Sequence, residues 1–319
     1  MKFRHVLAIV AGLLPLSLFA VVLFLAVCSW PAVVFNGPGF VVRDMWSLGN
    51  LYANPVMRHG TMIQPGATYG IFFLIVGTLL TTAIALILAI PAGVGSAIFL
   101  AEAVRGRLRL AISIMVELLA AIPSVVFGLW GYVLMIPFLG HHVFPAIAAV
   151  LVFIPAFAQP TGSGYGLLTA GVVLSLMVVP LIVATMRDAI AAQSAAMRES
   201  ALALGATRFE TAVRVLLPGA RKVLIGATFL ALGRALGETM AVLMVSGNAL
   251  NMLPYNVYAP VSTMAAFIVS QLDSALQDPS GMAVRSLAEI ALVLSIISII
   301  INALARVLLI RFAGPPARA

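Results

Sequence analysis

Glu199-Ser200-Ala201, three residues on to Gly205, and nine more to Val215-Leu216-Leu217-Pro218, form a polar, basic stretch that ends against an apolar run. Inside that run stands Gly233-Arg234-Ala235-Leu236-Gly237-Glu238-Thr239-Met240. A water-facing loop is thus joined directly to an apolar helix with an arginine in it. Such a junction points to a device that passes mechanical work to a substrate path, and the rest of the chain reads as its support.

The 319 residues are 63% hydrophobic and 9% charged, against roughly 25% charged for an ordinary soluble domain. So few charges cannot cover a water-facing surface. The long charge-free runs point to helices in a bilayer rather than to the short alternating strands of a β-barrel. A net charge of +8 raises the question of nucleic acid, but the placement of the charges excludes it. Lys and Arg gather at Lys2/Arg4, Arg105/Arg107/Arg109, Arg187 to Lys222, and Arg306 to Arg318. All these gaps face the cytoplasm if the chain starts inside and crosses six times, which is the positive-inside pattern. Arg43, Arg58 and Arg285 fall in or beside the opposite gaps, and Arg234 lies within a span. A lone Cys28 allows no intrachain disulfide and offers no metal cluster, and nothing calls for a cofactor.

The expected fold is an all-α integral membrane protein of about six transmembrane helices. Residues 6–27 form the first span, within an N-terminal anchor over 1–29. Lys2 and Arg4 ahead of it also resemble a signal-peptide start, but the apolar run is long for one, and an uncleaved anchor is expected. Residues 30–66 read as a polar external loop with turns at Asn36-Gly37-Pro38-Gly39 and Asn54-Pro55. The charge-free run 66–101 exceeds what a ~30 Å hydrocarbon core needs, and Pro91, with Gly93 and Gly95 after it, is expected to bend or end it. A third span over 110–138 carries Glu117 and is interrupted at Pro123; His141-His142 then read as a solvated outer turn rather than a metal site. Residues 143–157 are apolar but short for a span and read as a re-entrant or interfacial piece. Gly162, Gly164 and Gly166 read as a flexible entry to the fourth span, 167–186. The fifth and sixth spans are 223–246 and 284–305, with an external loop over 247–283 and a cytoplasmic tail at Gly314-Pro315-Pro316.

The loop 187–222 has its own local order. Ser194 is placed to cap a helix over 195–204, with Gly205 as its stop. Thr207-Arg208-Phe209-Glu210 fits a capping box that opens a second helix, with Phe209, Val213 and Leu216/Leu217 on one face and Pro218 at its end. Periodicity alone leaves two readings open: a hairpin resting on lipid, or a knob offered to a partner. In the fifth span, Arg234 and Glu238 are four apart, so one helix would place them on one face where they can pair. Gly233 and Gly237 form a small-xxx-small strip that lets a neighbouring helix approach. An intramembrane arginine costs ~2.5–3.5 kcal/mol on insertion scales. It is either a structural ion pair or an anion site, for which a permanently charged planar guanidinium with parallel donors is suited.

The spacing Glu199-Ser200-Ala201-x3-Gly205-x9-Val215-x-Leu217-Pro218 resembles the EAA loop of ABC-importer permeases, with Ser and Val replacing the usual second Ala and the Ile. The stretches Gly233 to Val242, Glu117 to Trp130 (ELLAAIPSVVFGLW) and Leu168 to Leu174 are similar to the PstC-type permeases of phosphate importers. The resemblance runs from about Gly70 to the C-terminus. It implies a MetI-like permease core over 67–311 in the bacterial inner membrane, with both termini cytoplasmic. Glu199, Ala201, Gly205, Leu217 and Pro218 would then belong to a coupling helix seated in a separate ATPase, and Arg234 and Glu238 to the substrate path. It further implies a heterodimer with a PstA-type permease, an ATPase dimer of PstB type, and an external phosphate-binding protein of PstS type delivering phosphate. The chain is then a transport subunit and not an enzyme; it carries no phosphate-binding Gly-x4-Gly-Lys-Ser/Thr loop, and neither Lys2 nor Lys222 fits one. Two rival readings remain. A proton-coupled secondary anion transporter would use Glu117, Glu238 and Glu289 as a relay. A membrane enzyme acting on a lipid phosphate would need a nucleophile-and-base set that is not evident.

Overall fold

A computed structural model describes residues 2–58, 60–157 and 163–313; Gly162 and the Gly314-Pro315-Pro316 tail lie outside them. Apart from a single helical turn at Gly39–Val42, the helices begin in chain order with α1 (Lys2–Asn36), α2 (Phe72–Ile98), α3 (Gly106–Ala121) and the composite α4 (Ser124–Val150). Then come α5 (Leu167–Ala191), α6 (Ala195–Ala203), α7 (Arg208–Gly219) and α8 (Arg221–Leu236). The last are α9 (Met240–Val245), α10 (Met264–Leu276) and α11 (Met282–Ala313). A two-stranded hairpin, β1 (Val56–Arg58) and β2 (Thr61–Ile63), pairs antiparallel after α1. Among the described residues, five helices are long and apolar enough to cross a membrane, and a sixth if the pair α7 and α8, bent by 72°, is counted as one. The multi-pass helical architecture expected from composition is therefore present.

Small residues set the centre of the bundle. A side chain at Gly93 of α2 would meet Ile182 of α5 at 2.7 Å, and one at Gly171 would run into Ile84. Removing the Cβ lets two spans approach closely, the main source of helix association where lipid supplies no hydrophobic drive. Ala231 and Ala235 of α8 complete this core with Ala89, Leu174, Ile182 and Leu216. Around it α1 and α11 run antiparallel, joined where Asn36 Nδ2 donates to Glu289 Oε2 at 2.7 Å and to Ser286 Oγ at 3.4 Å. The remaining face of α1 is bare, with Leu14 75% exposed and Trp30 65% exposed. Lipid, which is as apolar as that face, can cover it in a bilayer.

Several expected boundaries are corrected. Pro91 does not end α2, which continues to Ile98 and then a π-helical turn at Phe99–Ala103. The third span breaks at Ile122-Pro123 as expected, but His141 and His142 lie in a π-turn (Leu139–Val143) rather than a loop. Consequently the helix of α4 runs on through 144–150 without a break. Three π-turns end two residues before a proline: at Met135 before Pro137, Val143 before Pro145, and Leu216 before Pro218. A proline ring lacks the N–H and clashes with the carbonyl four residues back. Widening the preceding turn lets the helix carry on.

The polar stretches are also more built than expected. Trp46 is buried between Tyr69 (5.0 Å) and Phe267 (5.2 Å), and Asn251 clasps its backbone, Oδ1 accepting from Trp46 N at 2.6 Å and Nδ2 donating to Trp46 O at 3.0 Å. The stretch 247–283 is not all loop: it contains α10, whose start is capped by Thr263. Gly164 and Gly166 are tight packing points rather than flexible spacers. At φ +145° Gly166 sits where a side chain would run into the Tyr258 carbonyl.

Candidate functional site

Arg234 stands in the last turn of α8, and that helix ends two residues later at Leu236. Gly237 comes next at φ −92°, ψ 0°, outside helical geometry. Glu238 and Thr239 form a break before α9. The Glu238 carboxylate turns forward, its Oε1 accepting from Thr239 N at 3.1 Å and Ala241 N at 3.4 Å. The expected same-face Arg234–Glu238 pair is therefore not formed. A glycine with low helix propensity lies between the two, and the carboxylate satisfies amides at the start of α9 that would otherwise lack partners. Past the break, α9 is pinned to α4, where a side chain at Gly128 would meet Ala241 Cα at 2.9 Å.

Ion pairs among the described residues join Arg187 to Glu117 and Asp188, Arg198 to Glu102, and Arg214 to Glu210; Arg234 is in none of them. Arg234 is exposed and lines a hollow of about 410 Å³ with Leu181, Phe229, Leu230, Gly233 and Asn302. Among the described residues, a side chain at Gly233 would meet nothing within 4 Å, and one at Gly237 only the helix's own Gly233 and Arg234 carbonyls. The glycine strip is open on this chain's surface. An unpaired guanidinium in a hollow walled by apolar side chains can hold an oxyanion by charge and by paired N–H donors.

The loop forms the elbow that its capping residues specify. Ser194 Oγ accepts from Met197 N, and α6 ends in a Schellman motif: Gly205 N donates to Leu202 O at 3.0 Å and Ala206 N to Ala201 O at 3.1 Å. Gly205 sits at φ +86°, where a glycine is favoured. Glu210 N then donates to Thr207 Oγ1 at 3.2 Å while Thr207 N donates to Glu210 Oε2 at 2.9 Å, closing the capping box. These bonds from Thr207, backbone first, hold the Glu210 carboxyl below its ordinary range, and the nearby Arg214 adds to the effect. Glu199 and Pro218 are exposed, Ala201 is buried and Leu217 half-buried. Of the face expected from Phe209, Val213 and Leu216/Leu217, Phe209 is 72% exposed and Val213 36% exposed, while Leu217 is half-buried and Leu216 fully buried. The π-turn at Ala212–Leu216 adds a residue to the turn and so rotates the last part of α7. α7 ends one residue past Pro218, at Gly219, and the corner is Ala220, where the chain bends into α8.

Sequence reasoning missed the residue that fastens this elbow. Arg198 donates from Nε to Glu102 Oε1 at 3.0 Å, from Nη1 to Gln193 O at 2.9 Å, and from Nη2 to Ile190 O at 2.6 Å. One side chain thereby ties α6 to the carbonyl end of α5 and to the π-turn after α2. Gln193 adds a bond from Nε2 to Leu216 O at 2.7 Å. A basic residue in the helix that follows the C-terminus of α5 was the available signal; Glu102, 96 residues away, had none.

The family profile of the inner membrane component of binding-protein-dependent transport systems matches residues 89–313. The phosphate transport system permease protein PstC 1 of Mycobacterium tuberculosis is 46% identical over 278 residues, 86% of this chain and 82% of that protein. The phosphate transport system permease protein PstC of Pasteurella multocida is 36% identical over 312 residues, 97% of this chain and 91% of its own. Among solved structures, an inward-facing MetNI methionine ABC transporter superposes with a TM-score of 0.50 at 17% identity, over 75% of this chain and 95% of that one, a likeness of fold alone. The chain belongs to the inner-membrane components of binding-protein-dependent transport systems, among their PstC-type permeases.

Proposed function

We propose that this chain is the permease subunit of an ATP-driven inorganic phosphate importer, forming half of a transmembrane path and coupling to a separate ATPase. The observation that carries the reading is the 36% identity to a phosphate permease over 97% of the chain, a span that takes in both the 195–218 elbow and Arg234. Physically, the substrate path needs a fixed cation that can release its ligand. Arg234 supplies the charge from an open hollow, and Glu238 lies one turn beyond it, held on the α9 amides.

In this reading the termini and the 187–222 region face the cytoplasm, in keeping with the positive-inside pattern. The elbow of Glu199, Ala201, Gly205, Leu217 and Pro218 seats in a PstB-type ATPase dimer. The open Gly233/Gly237 face meets a PstA-type permease, and a PstS-type binding protein delivers phosphate from outside. Closure of the ATPase pair pushes the elbow; the Ala220 corner turns that push into a movement of α8, and with it of Arg234.

A proton-coupled carrier is not favoured, because the three carboxylates it needs are engaged apart from one another. Glu117 pairs with Arg187, Glu238 caps α9, and Glu289 is bonded to Asn36. The test is labelled-phosphate uptake in cells lacking their own importer and given this chain with its partner subunits. Uptake that needs ATP and survives dissipation of the proton gradient is the expected result. Uptake that persists without ATP and collapses with the gradient would replace the importer by the carrier.

A further inference from the structure

Between residues 291 and 310 α11 is apolar except for Ser295, Ser298 and Asn302, spaced by three and four residues, and Arg306 four further on. That spacing puts them on one side of the helix. Ile290 and Ile297 lie on another side, in the core shared with α1, while Leu287 and Leu294 of that core border the stripe at Ser298. Ser295 satisfies its hydroxyl on Ala291 O at 2.8 Å, and Asn302 spends one amide hydrogen on Ser298 O at 2.8 Å. This leaves the other amide hydrogen and the carbonyl oxygen of Asn302 for a ligand. An amide left unsatisfied in hydrocarbon costs several kcal/mol, so this side needs water or a polar partner. Independently, Asn302 lines the same hollow as Arg234.

We propose that Asn302 is a second anion-contacting residue, and that the Ser295–Ser298–Asn302–Arg306 stripe of α11 is the wall along which an oxyanion held by Arg234 moves. The proposal rests on the phosphate-importer reading. Its chemistry bears on selectivity: the free N–H donates to an oxyanion oxygen, while the carbonyl accepts from the P–OH that phosphate carries at neutral pH and sulfate lacks. A site offering both rejects an anion that can satisfy only one.

The test uses the assembled complex with its partner subunits. Asn302→Asp, of nearly the same shape, puts a carboxylate into the hollow that Arg234 lines and is expected to lower kcat/KM for phosphate uptake at least tenfold with assembly and ATPase binding unchanged. Asn302→Leu is expected to lower it several-fold and to lessen the preference for phosphate over sulfate. Should Asn302→Asp fail to assemble, Asn302→Cys in a Cys28→Ser background gives a second readout. Inorganic phosphate, but not phosphatidylglycerol vesicles alone, slows modification of the new thiol by a charged thiosulfonate. Wild-type uptake by an assembled Asn302→Asp complex, or modification indifferent to phosphate, overturns the proposal. If Arg234→Gln beside it abolishes uptake, only the role of Asn302 has failed; if both variants transport normally, the placing of the substrate path has failed as well.

Discussion

Arg198→Ala is the sharpest test of how the elbow is fastened. The guanidinium holds Glu102 and the carbonyls of Gln193 and Ile190, with its side chain 24% exposed and that of Glu102 20% exposed. Hydrogen bonds to charged groups contribute roughly 1.5–3 kcal/mol each. With partial exposure, the lower figure for three bonds sums to roughly 4.5 kcal/mol as an upper bound, since bonds sharing one side chain are not additive. That is up to about a thousandfold in the balance between a docked and an undocked elbow, at ~1.4 kcal/mol per tenfold. The assay is phosphate carried per ATP hydrolysed by the reconstituted complex, with amide exchange measured across 195–218. Arg198→Ala is expected to bind the ATPase, to exchange faster across the elbow and to carry less phosphate per ATP. Arg198→Lys keeps the charge but not the three-way fork and should fall between. A wild-type ratio with unchanged exchange for Arg198→Ala would refute the idea that this side chain transmits the stroke.

The same geometry sets three further outcomes. Gly205→Pro removes the bond from Gly205 N to Leu202 O and cannot adopt φ +86°, so ATP hydrolysis should continue while uptake is lost; full uptake would sink the elbow's role. Gly205→Ala meets no neighbour within 4 Å and should cost only about 1–2 kcal/mol of left-handed strain, read as a modest rise in exchange over 201–207. For Glu210, whose carboxyl is held below its ordinary range by Thr207, the sign is that of a depressed acid. Its support of the capping box is present above the unfolded carboxylate range and is lost as pH falls through the lowered folded value. Amide protection over 207–211, corrected for intrinsic exchange, should be flat near neutrality and drop in acid, and Glu210→Gln should abolish that step.

Local forces were the ones legible in the sequence. Bilayer insertion acts on composition, so long apolar runs and the basic gaps could be read residue by residue. Caps act within four residues, so Ser194, Gly205, Thr207 and Glu210 could be placed in their roles from type and spacing. The turn-widening before Pro137, Pro145 and Pro218 could not, because a π-turn and a kink answer the same proline. At Gly237-Glu238 two local preferences competed, an i,i+4 ion pair and a new helix start, and the helix start prevailed. Arg198–Glu102 and Trp46–Asn251 join residues 96 and 205 positions apart, beyond any periodic pattern. The helix α10 had a readable cap in Thr263, but the asparagines and prolines of the stretch ahead of it outweighed that signal.

The central claim is that Arg234 is the cation of the phosphate path. Labelled-phosphate uptake by Arg234→Gln, beside the wild type, in cells lacking their own importer tests it most directly, with assembly and ATPase binding verified for both. The account predicts that uptake is lost while the complex remains assembled. Uptake at the wild-type rate would contradict it and would make Arg234 a structural residue of α8.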